Sequence, residues 1–167
     1  MDADRPALTF REARRSDLER LEEIRRTAFA PVFASFRSLL GPGVAAVALA
    51  DEESDQRRLF WELLAGRRGE HVYVALLGKE IAGFVAIILD PERALGEISL
   101  NAVDPTHAGH GIGAAMYDYA LERMRVAGMK AAFVGTGAQD SQAPARAAYA
   151  KVGFDKVLPG VHLYREL

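Results

Sequence analysis

The sequence predicts one domain built on a single mixed α/β sheet. Three observations predict this fold class: a length of 167 residues with 50% apolar side chains, helical spacing of apolar residues up to residue 66, and strand-like periodicity from residue 71 onward. A chain of this length typically buries about 70% of the surface that its unfolded form exposes, so a core forms without disulfides or metals. We therefore expect residues 1–167 to fold as one domain.

The composition excludes several classes of protein. The chain contains no cysteine, which rules out a disulfide scaffold, a thiolate zinc site and a cysteine nucleophile. The formal net charge of −2 argues against a dedicated nucleic-acid binder. Met1 to Pro6 lacks the apolar core of a signal peptide, and no apolar run approaches the roughly 18 residues of a membrane span. We expect a cytoplasmic protein that binds neither nucleic acid nor membranes.

The first 66 residues predict a strand followed by two helical stretches. Leu8 to Ala13 is the expected strand, and Ser16 to Glu19 forms the Ser-x-x-Glu pattern of a helix-starting capping box. An aromatic stripe continues the helical spacing: Phe29, Phe33 and Phe36. Gly41-Pro42-Gly43 predicts a break, and the acidic stretch 51–55 favours the start of the second helix.

From residue 71 the predicted elements are three strands, a helix, a strand, a helix and the closing strands. The expected strands cover residues 71–77, 81–89, 97–103 and 131–136, with two last strands at 154–158 and 162–167. One expected helix covers residues 111–127, and the other begins near Pro144 and ends at Gly153.

The most informative stretch is a glycine-rich loop between a predicted strand and a predicted helix. Gly109, Gly111 and Gly113 occupy alternate positions there. Glycine lets a ligand approach the backbone closely, and a helix N-terminus adds partial positive charge. The pattern favours an anion site suited to a pyrophosphate, although such turns also occur for packing alone.

Two familiar phosphate-binding motifs do not account for this loop. No Gly-x-x-x-x-Gly-Lys-Ser/Thr sequence occurs, so a P-loop nucleotidase is disfavoured. Residues 109–114 match a dinucleotide fingerprint, but the next strand ends in Gly135-Thr136-Gly137 without the acidic residue that the fingerprint expects. A nicotinamide-binding domain is therefore a weak alternative.

Three ordered motifs carry a family resemblance. They are Glu97-Ile98 with Val103-x-Pro105, then Ala108-Gly-His-Gly-Ile-Gly113, then Gln142-x-x-Ala145-x-x-x-Tyr149-x-x-x-Gly153-Phe154. Together they resemble the GNAT superfamily of acyl-CoA-dependent N-acetyltransferases. The resemblance implies a mostly antiparallel sheet of six to seven strands with about four helices, splayed between the fourth and fifth strands.

The resemblance also implies where acetyl-CoA binds. The backbone amides of the loop would hold the CoA pyrophosphate; these residues are Ala108, Gly109, His110, Gly111, Ile112, Gly113 and Ala114. The pantetheine arm would pair with the backbone of Asn101, Ala102 and Val103, as an added strand does. Ala108 stands where the family usually has Arg or Gln, and Gln142, which would contact pantetheine, stands where it usually has Asn. His107 or His110 could partly replace the missing phosphate-binding side chain.

Two residues are candidates for the chemistry. An alkylamine has a pKa of about 10.4, so it must lose a proton before it can attack a thioester near neutral pH. Glu97 is the candidate base, directly or through water, and the resemblance makes Tyr149 the acid that protonates the CoA sulfur. Strand alternation predicts that Glu97 and Asn101 share one face. A half-exposed Glu97 and an ordinary packing role for Tyr149 are the alternatives.

The resulting hypothesis is an N-acetyltransferase that moves the acetyl group of acetyl-CoA directly to a primary amine of a small molecule or peptide. The absence of cysteine excludes a cysteine acyl-enzyme and favours a ternary complex. No metal is expected, because the His107-x-x-His110 pair lies in a loop without nearby carboxylates. The alternative is a non-catalytic acyl-CoA-binding or sensing module of the same fold. A homodimer is possible, and part of the aromatic stripe could wall the acceptor pocket.

Overall fold

The computed structural model describes residues 7–67 and 69–167, so the expectation for Met1 to Pro6 lies outside the described residues. The strands are β1 (Leu8–Glu12), β2 (Glu70–Leu77), β3 (Glu80–Asp90), β4 (Leu95–Val103) and β5 (Ala131–Val134). The helices are α1 (Leu18–Ala48), α2 (Glu52–Ala65), α3 (Ile112–Val126) and α4 (Ala143–Lys151). Most of the predicted elements therefore form, with ends displaced by a few residues.

The five strands form one mixed sheet in the order β1-β2-β3-β4-β5. The first three pairings are antiparallel, and β4 pairs with β5 in parallel. Parallel neighbours need a crossover connection, which α3 provides between β4 and β5. Helices α1 and α2 cover one face of the sheet, where Ile24 and Phe60 are fully buried. Helix α3 covers the other face through residues such as Met116.

A β-bulge interrupts the middle of β4. Val85 of β3 pairs with Asn101, but Ile87 pairs with Ile98, so two residues of β4, Ser99 and Leu100, lie opposite one residue of β3. The extra residue reverses which side chains face which side of the sheet. Ile98 accordingly belongs to the core under α3, whereas Leu100 belongs to the core under α1 and α2.

The sheet opens where the bulge occurs. The pairing of β4 with β5 covers Leu95 to Ile98 and ends there, although β4 continues to Val103. Residues 99–103 thus have no strand partner from β5 along that edge. This confirms the predicted splay between the fourth and fifth strands.

The start of α1 differs from the predicted capping box at Ser16. A 3-10 turn, Arg15–Asp17, precedes α1, and the carboxylate of Asp17 closes the capping box of this turn by accepting a hydrogen bond from the backbone N–H of Arg14 at 2.7 Å. Arg11 of β1 donates to the same carboxylate at 2.6 and 3.0 Å, so the helix start is fixed to the sheet. These two partners lower the pKa of Asp17. The predicted break at Gly41 is confirmed: its backbone is non-helical (φ 72°, ψ 166°), and it divides the range of α1 into two helical segments, the second of which ends at Ala48.

The prediction of six to seven strands is wrong for the described chain, which has five. Residues 155–167, which include most of the two expected closing strands, form neither helix nor strand. Their apolar side chains are 82% to 97% exposed at Val157, Leu158, Val161 and Leu163. Apolar alternation produces a strand only where a sheet or helix covers one face, and no layer covers this segment.

One helical stretch, Arg15–Ala48, is long and apolar enough to cross a membrane by length and composition, and 17% of its apolar window is buried. Core helices and signal sequences pass the same test. The expectation that no apolar run approaches the length of a span was therefore wrong on composition. The absence of a membrane partner stays a prediction.

The packing of α2 on the sheet predicts a large loss of stability on truncation of Phe60. Its ring is fully buried against Phe84, with ring centroids 5.3 Å apart. Phe60→Ala should lower the free energy of unfolding by about 3–5 kcal/mol, measured by urea denaturation. The matched control is Phe133→Ala, whose ring is 45% exposed and should lose less than about 1 kcal/mol. Equal losses would show that α2 is not anchored as described.

Candidate active site

A cavity of about 820 Å³ lies at the splay. Its walls come from three places: the open stretch of β4, the glycine-rich loop with the start of α3, and the facing residues of α1, α2 and α4. Among the predicted site residues, those that line it are Glu97, Asn101, Ala102, Val103, Ala108, Gly109, Gly111, Ile112, Gly113, Ala114, Gln142 and Tyr149. The fold therefore brings nearly all of them to one cleft.

The glycine-rich loop adopts a conformation that requires its glycines. Gly109 and Gly111 have φ of 77° and 78°, which side-chain-bearing residues rarely adopt. A Cβ at either position would meet no atom within 4 Å. Packing within the protein therefore does not explain these glycines, whereas the backbone conformation does. Gly111 is the N-cap of α3, so the loop presents the N-terminal end of that helix to the cavity.

Asp104 fixes the loop to the rest of the molecule. Its carboxylate accepts hydrogen bonds from the backbone N–H of Thr106 at 2.8 Å and from the Thr106 hydroxyl at 2.7 Å, and it forms an ion pair with Arg20 of α1. Burial opposes the charge of Asp104, but the bonds from Thr106 and Arg20 outweigh it and lower its pKa. The sequence analysis missed this role, for which the only signal was an Asp-Pro-Thr turn after a strand.

The two histidines of the loop occupy different environments. His107 lines the cavity, with Nε2 3.3 Å from a carboxylate oxygen of Glu80. His110 is exposed and does not line the cavity, and its Nδ1 lies 3.1 Å from the carbonyl oxygen of His107. Within residues 7–67 and 69–167, no group of three or more His, Cys, Asp or Glu side chains could hold a metal ion.

A buried hydrogen-bond cluster holds the hydroxyl of Tyr149. The side-chain Nδ2 of Asn101 donates to Tyr149 Oη at 3.1 Å, and Tyr117 Oη donates to Asn101 Oδ1 at 2.8 Å. The rings of Tyr117 and Tyr149 stack with centroids 4.4 Å apart. Burial first, and then the neighbouring Tyr149, raise the pKa of Tyr117, so Tyr117 stays protonated. Sequence reasoning missed Tyr117, since a tyrosine at helical spacing looks like any core aromatic.

The cluster orients the proton of Tyr149. Nδ2 of Asn101 also donates to the carbonyl oxygen of Ser99 at 3.0 Å, so a flipped amide would set two oxygens against each other. Asn101 therefore presents a donor to Tyr149 and occupies a lone pair of its oxygen. The hydroxyl hydrogen of Tyr149 therefore points away from Asn101.

Glu97 faces the opposite side of the sheet from Asn101. It precedes the bulge and neighbours Ile98, which packs under α3, so its side chain is on the α1 and α2 side. The prediction that Glu97 and Asn101 share a face is therefore wrong, because the bulge shifts the alternation by one residue. Partial burial raises the pKa of the Glu97 carboxyl above its ordinary value of 4.5.

Gln142 braces the loop that follows β5. Its Oε1 accepts hydrogen bonds from the Thr136 hydroxyl and from the backbone N–H of Gly137, both at 2.7 Å. Arg146 donates to the carbonyl oxygens of Gly137 and Gln139 at 2.7 and 2.8 Å, which stabilises the same loop. The amide oxygen of Gln142 is thus engaged within the protein, and its NH₂ is the group that can turn to a ligand in the cavity.

The fold and the cleft define an α/β domain that can hold an anion on a helix N-terminus beside an open strand edge. A model of the Acetyltransferase (GNAT) family matches residues 32–154. The chain therefore belongs to the GNAT acetyltransferase family. Among curated proteins, no sequence gives a significant match.

Solved structures of acetyltransferases share the fold at low sequence identity. A GNAT-family putative acetyltransferase from Desulfovibrio desulfuricans is 19% identical with a TM-score of 0.67, covering 91% of this chain and 87% of its own. One from Brucella melitensis, solved with acetyl-CoA, is 19% identical with a TM-score of 0.62, covering 90% and 84%. An aminoglycoside acetyltransferase from an uncultured soil metagenomic sample, solved with sisomicin, is 18% identical with a TM-score of 0.60, covering 96% of both chains.

The buried cluster predicts energetic coupling between Asn101 and Tyr117. Asn101→Ala leaves the Tyr117 hydroxyl, on a residue 4% exposed, without its acceptor, which should cost about 1–3 kcal/mol of unfolding free energy. In a Tyr117→Phe background the same substitution should cost less, giving a coupling energy of about 0.5–3 kcal/mol in a urea-denaturation double-mutant cycle. Strictly additive losses would mean that the two side chains do not form this hydrogen bond.

Proposed function

We propose that the protein transfers the acetyl group of acetyl-CoA directly to a primary amine in a ternary complex. The observation that carries the proposal is the placement of Glu97 and Tyr149 in one cavity, on the two sides of the opened strand β4. A thioester lying along that edge would have a base on the α1 and α2 side and an acid on the α3 and α4 side.

The cofactor would bind through backbone groups. The pyrophosphate would lie on the amides of the glycine-rich loop, where the N-terminal dipole of α3 favours an anion. The pantetheine arm would pair with residues 99–103, whose edge β5 leaves free. A net charge of −2 does not oppose this binding, because backbone amides carry no formal charge. The acetyl-CoA complex of the Brucella melitensis protein supports the choice of cofactor.

The reaction removes two protons from the acceptor nitrogen and adds one to the CoA sulfur. Glu97 takes a proton from the ammonium group of the acceptor, directly or through water, and the neutral amine attacks the thioester carbonyl carbon. A C–N bond forms, and the tetrahedral intermediate collapses with cleavage of the C–S bond. Tyr149 donates its hydroxyl proton to the departing sulfur. The nitrogen, which carries one proton too many after the attack, releases it through water to the Tyr149 phenolate, so the products are the neutral amide and CoA with a free thiol, and Tyr149 is protonated again.

Removal of the Tyr149 hydroxyl tests the assignment of this residue as the acid. Tyr149→Phe removes the hydroxyl and keeps the ring, so kcat for CoA release should fall about 10²- to 10⁴-fold while acetyl-CoA binding stays. A thiol-reactive dye measures the rate with a panel of primary amines, and the protein adds no background because it has no cysteine. Tyr119→Phe is the matched control, since Tyr119 stacks on Phe10 and does not line the cavity.

Two results would contradict the proposal. An unchanged kcat in Tyr149→Phe would remove the assigned acid. Tight acetyl-CoA binding in calorimetry with no thiol release for any amine would instead identify a non-catalytic acyl-CoA-binding module.

The raised pKa of Glu97 predicts a pH dependence. The base works only when deprotonated, so activity is present above its pKa and is lost as the pH falls through it. Because burial raises that pKa, the acidic limb of kcat/KM should lie above pH 4.5. Glu97→Gln should lower kcat/KM about 10²-fold or more and abolish this limb. The control is Glu122→Gln, an exposed carboxylate of α3, which should leave the pH profile unchanged. If the acidic limb persists in Glu97→Gln, a group other than Glu97 is the base.

The loop conformation predicts a binding defect that can be separated from stability. In Gly111→Ala, alanine must adopt a φ of 78°, which is unfavourable for a residue with a Cβ, and the new Cβ stands at the helix N-terminus that faces the cavity. The Kd for CoA, measured by calorimetry, should therefore rise about tenfold or more. Gly128→Ala is the matched control, because Gly128 has φ of 84° and equally open space at the other end of α3. Both should lose similar stability, and an equal effect on Kd would show that the loop does not bind CoA.

A further inference from the structure

We infer that the acceptor is an amine with one positive charge and an apolar body, not a polycation. This inference rests on the proposed function and extends it to the substrate class. Two features of the cavity on the Glu97 side support it: the lining side chains there are apolar, and Glu97 is the one carboxylate among the described lining residues.

The wall on that side is apolar. Ala28, Phe29 and Val32 of α1 and Leu59 of α2 line the cavity beside Glu97. Leu59 is 40% exposed and lines the cavity, so part of its apolar surface is accessible. Phe29 is supported from behind by Phe33, which is 8% exposed, with ring centroids 6.1 Å apart. A ligand body that covers these side chains would gain by being apolar.

Glu97 is the only carboxylate among the described residues that line the cavity. It can neutralise one ammonium group. The other formally charged side chain among the described lining residues is Lys151 on α4, which would repel a cation. A second ammonium group placed against the apolar wall would therefore lose its hydration without gaining a partner.

Several acidic residues of α1 and α2 are already paired within the protein. Glu22 accepts two hydrogen bonds from Arg25 at 2.8 and 2.9 Å, and Glu23 accepts one from Arg20 at 2.8 Å. Two further pairs, Arg37 with Glu52 and Arg58 with Asp55, engage acids of α2. None of these carboxylates lines the cavity, so they do not supply the second charge that a polycation needs.

Isosteric amine pairs test the inference in the thiol-release assay. Hexylamine and 1,5-pentanediamine differ by exchange of a terminal methyl for an ammonium group, and 4-ethylbenzylamine and 1,4-bis(aminomethyl)benzene differ in the same way. In each pair the monoamine should have the higher kcat/KM, by about 10- to 100-fold. Equal or higher kcat/KM for the diamines would overturn the inference.

A charge placed in the wall should change this preference. Leu59→Asp adds a second carboxylate beside the cavity and should narrow or reverse the preference for the monoamine. Leu39→Asp is the matched control, because Leu39 of α1 is 69% exposed and does not line the cavity. Indistinguishable behaviour of the two variants would also overturn the inference.

The two levels of the proposal fail differently. If the enzyme releases CoA with a diamine or an amino sugar and with neither monoamine, the inferred substrate class is wrong, while the acetyltransferase function stands. If acetyl-CoA binds and no amine in the panel releases CoA, the proposed function is wrong, and this inference with it.

Discussion

The site depends on a single extra residue in the middle of β4. The bulge at Ser99 and Leu100 sets two residues of β4 opposite one of β3, and the pairing with β5 ends at the preceding residue, Ile98. Strand β5 itself ends at Val134, the partner of Ile98, so the edge of β4 that faces the cavity is open from the bulge onward. The bulge also turns Asn101 towards α3, where Tyr117 and Tyr149 meet its amide. The opening of the sheet and the orientation of Asn101 towards the candidate acid therefore begin at the same point of β4.

The same bulge places Glu97 on one side of the sheet and Asn101, which holds the hydroxyl of Tyr149, on the other. Glu97 lies before it and faces the half of the cavity with an apolar wall, whereas Asn101 lies after it and faces the half with the glycine-rich loop. An acceptor and a thioester can then approach from different sides and meet at the strand edge. Proximity of this kind accounts for much of the acceleration in a two-substrate reaction. The electrostatic environments also differ, since partial burial raises the pKa of Glu97 while a donor from Asn101 holds the oxygen of Tyr149.

Local patterns predicted much of this architecture, and tertiary context explains the rest. Apolar periodicity predicted helix α3 and the hairpin of β2 and β3. The glycine-rich loop was predictable because its residue types permit a positive φ. The bulge was not predictable, because Ser99 and Leu100 fit a regular alternation and only their pairing with β3 shows the extra residue. Asp104 and Tyr117 were missed for a similar reason, since Arg20, the ion-pair partner of Asp104, lies 84 positions away and Asn101, the hydrogen-bond partner of Tyr117, lies 16 positions away. The prediction of two closing strands was wrong because residues 155–167 have the periodicity of strands but no layer of the fold covers them.

Hydrogen exchange of the backbone amides tests most directly whether the bulge opens the edge that binds the cofactor. Exchange is measured by mass spectrometry with and without saturating CoA. The account predicts slower exchange at residues 99–103 and 109–114 when CoA is bound, with little change at residues 95–98, which β5 already pairs. Protection confined to other segments, or unchanged exchange along residues 99–103 despite CoA binding, would contradict it.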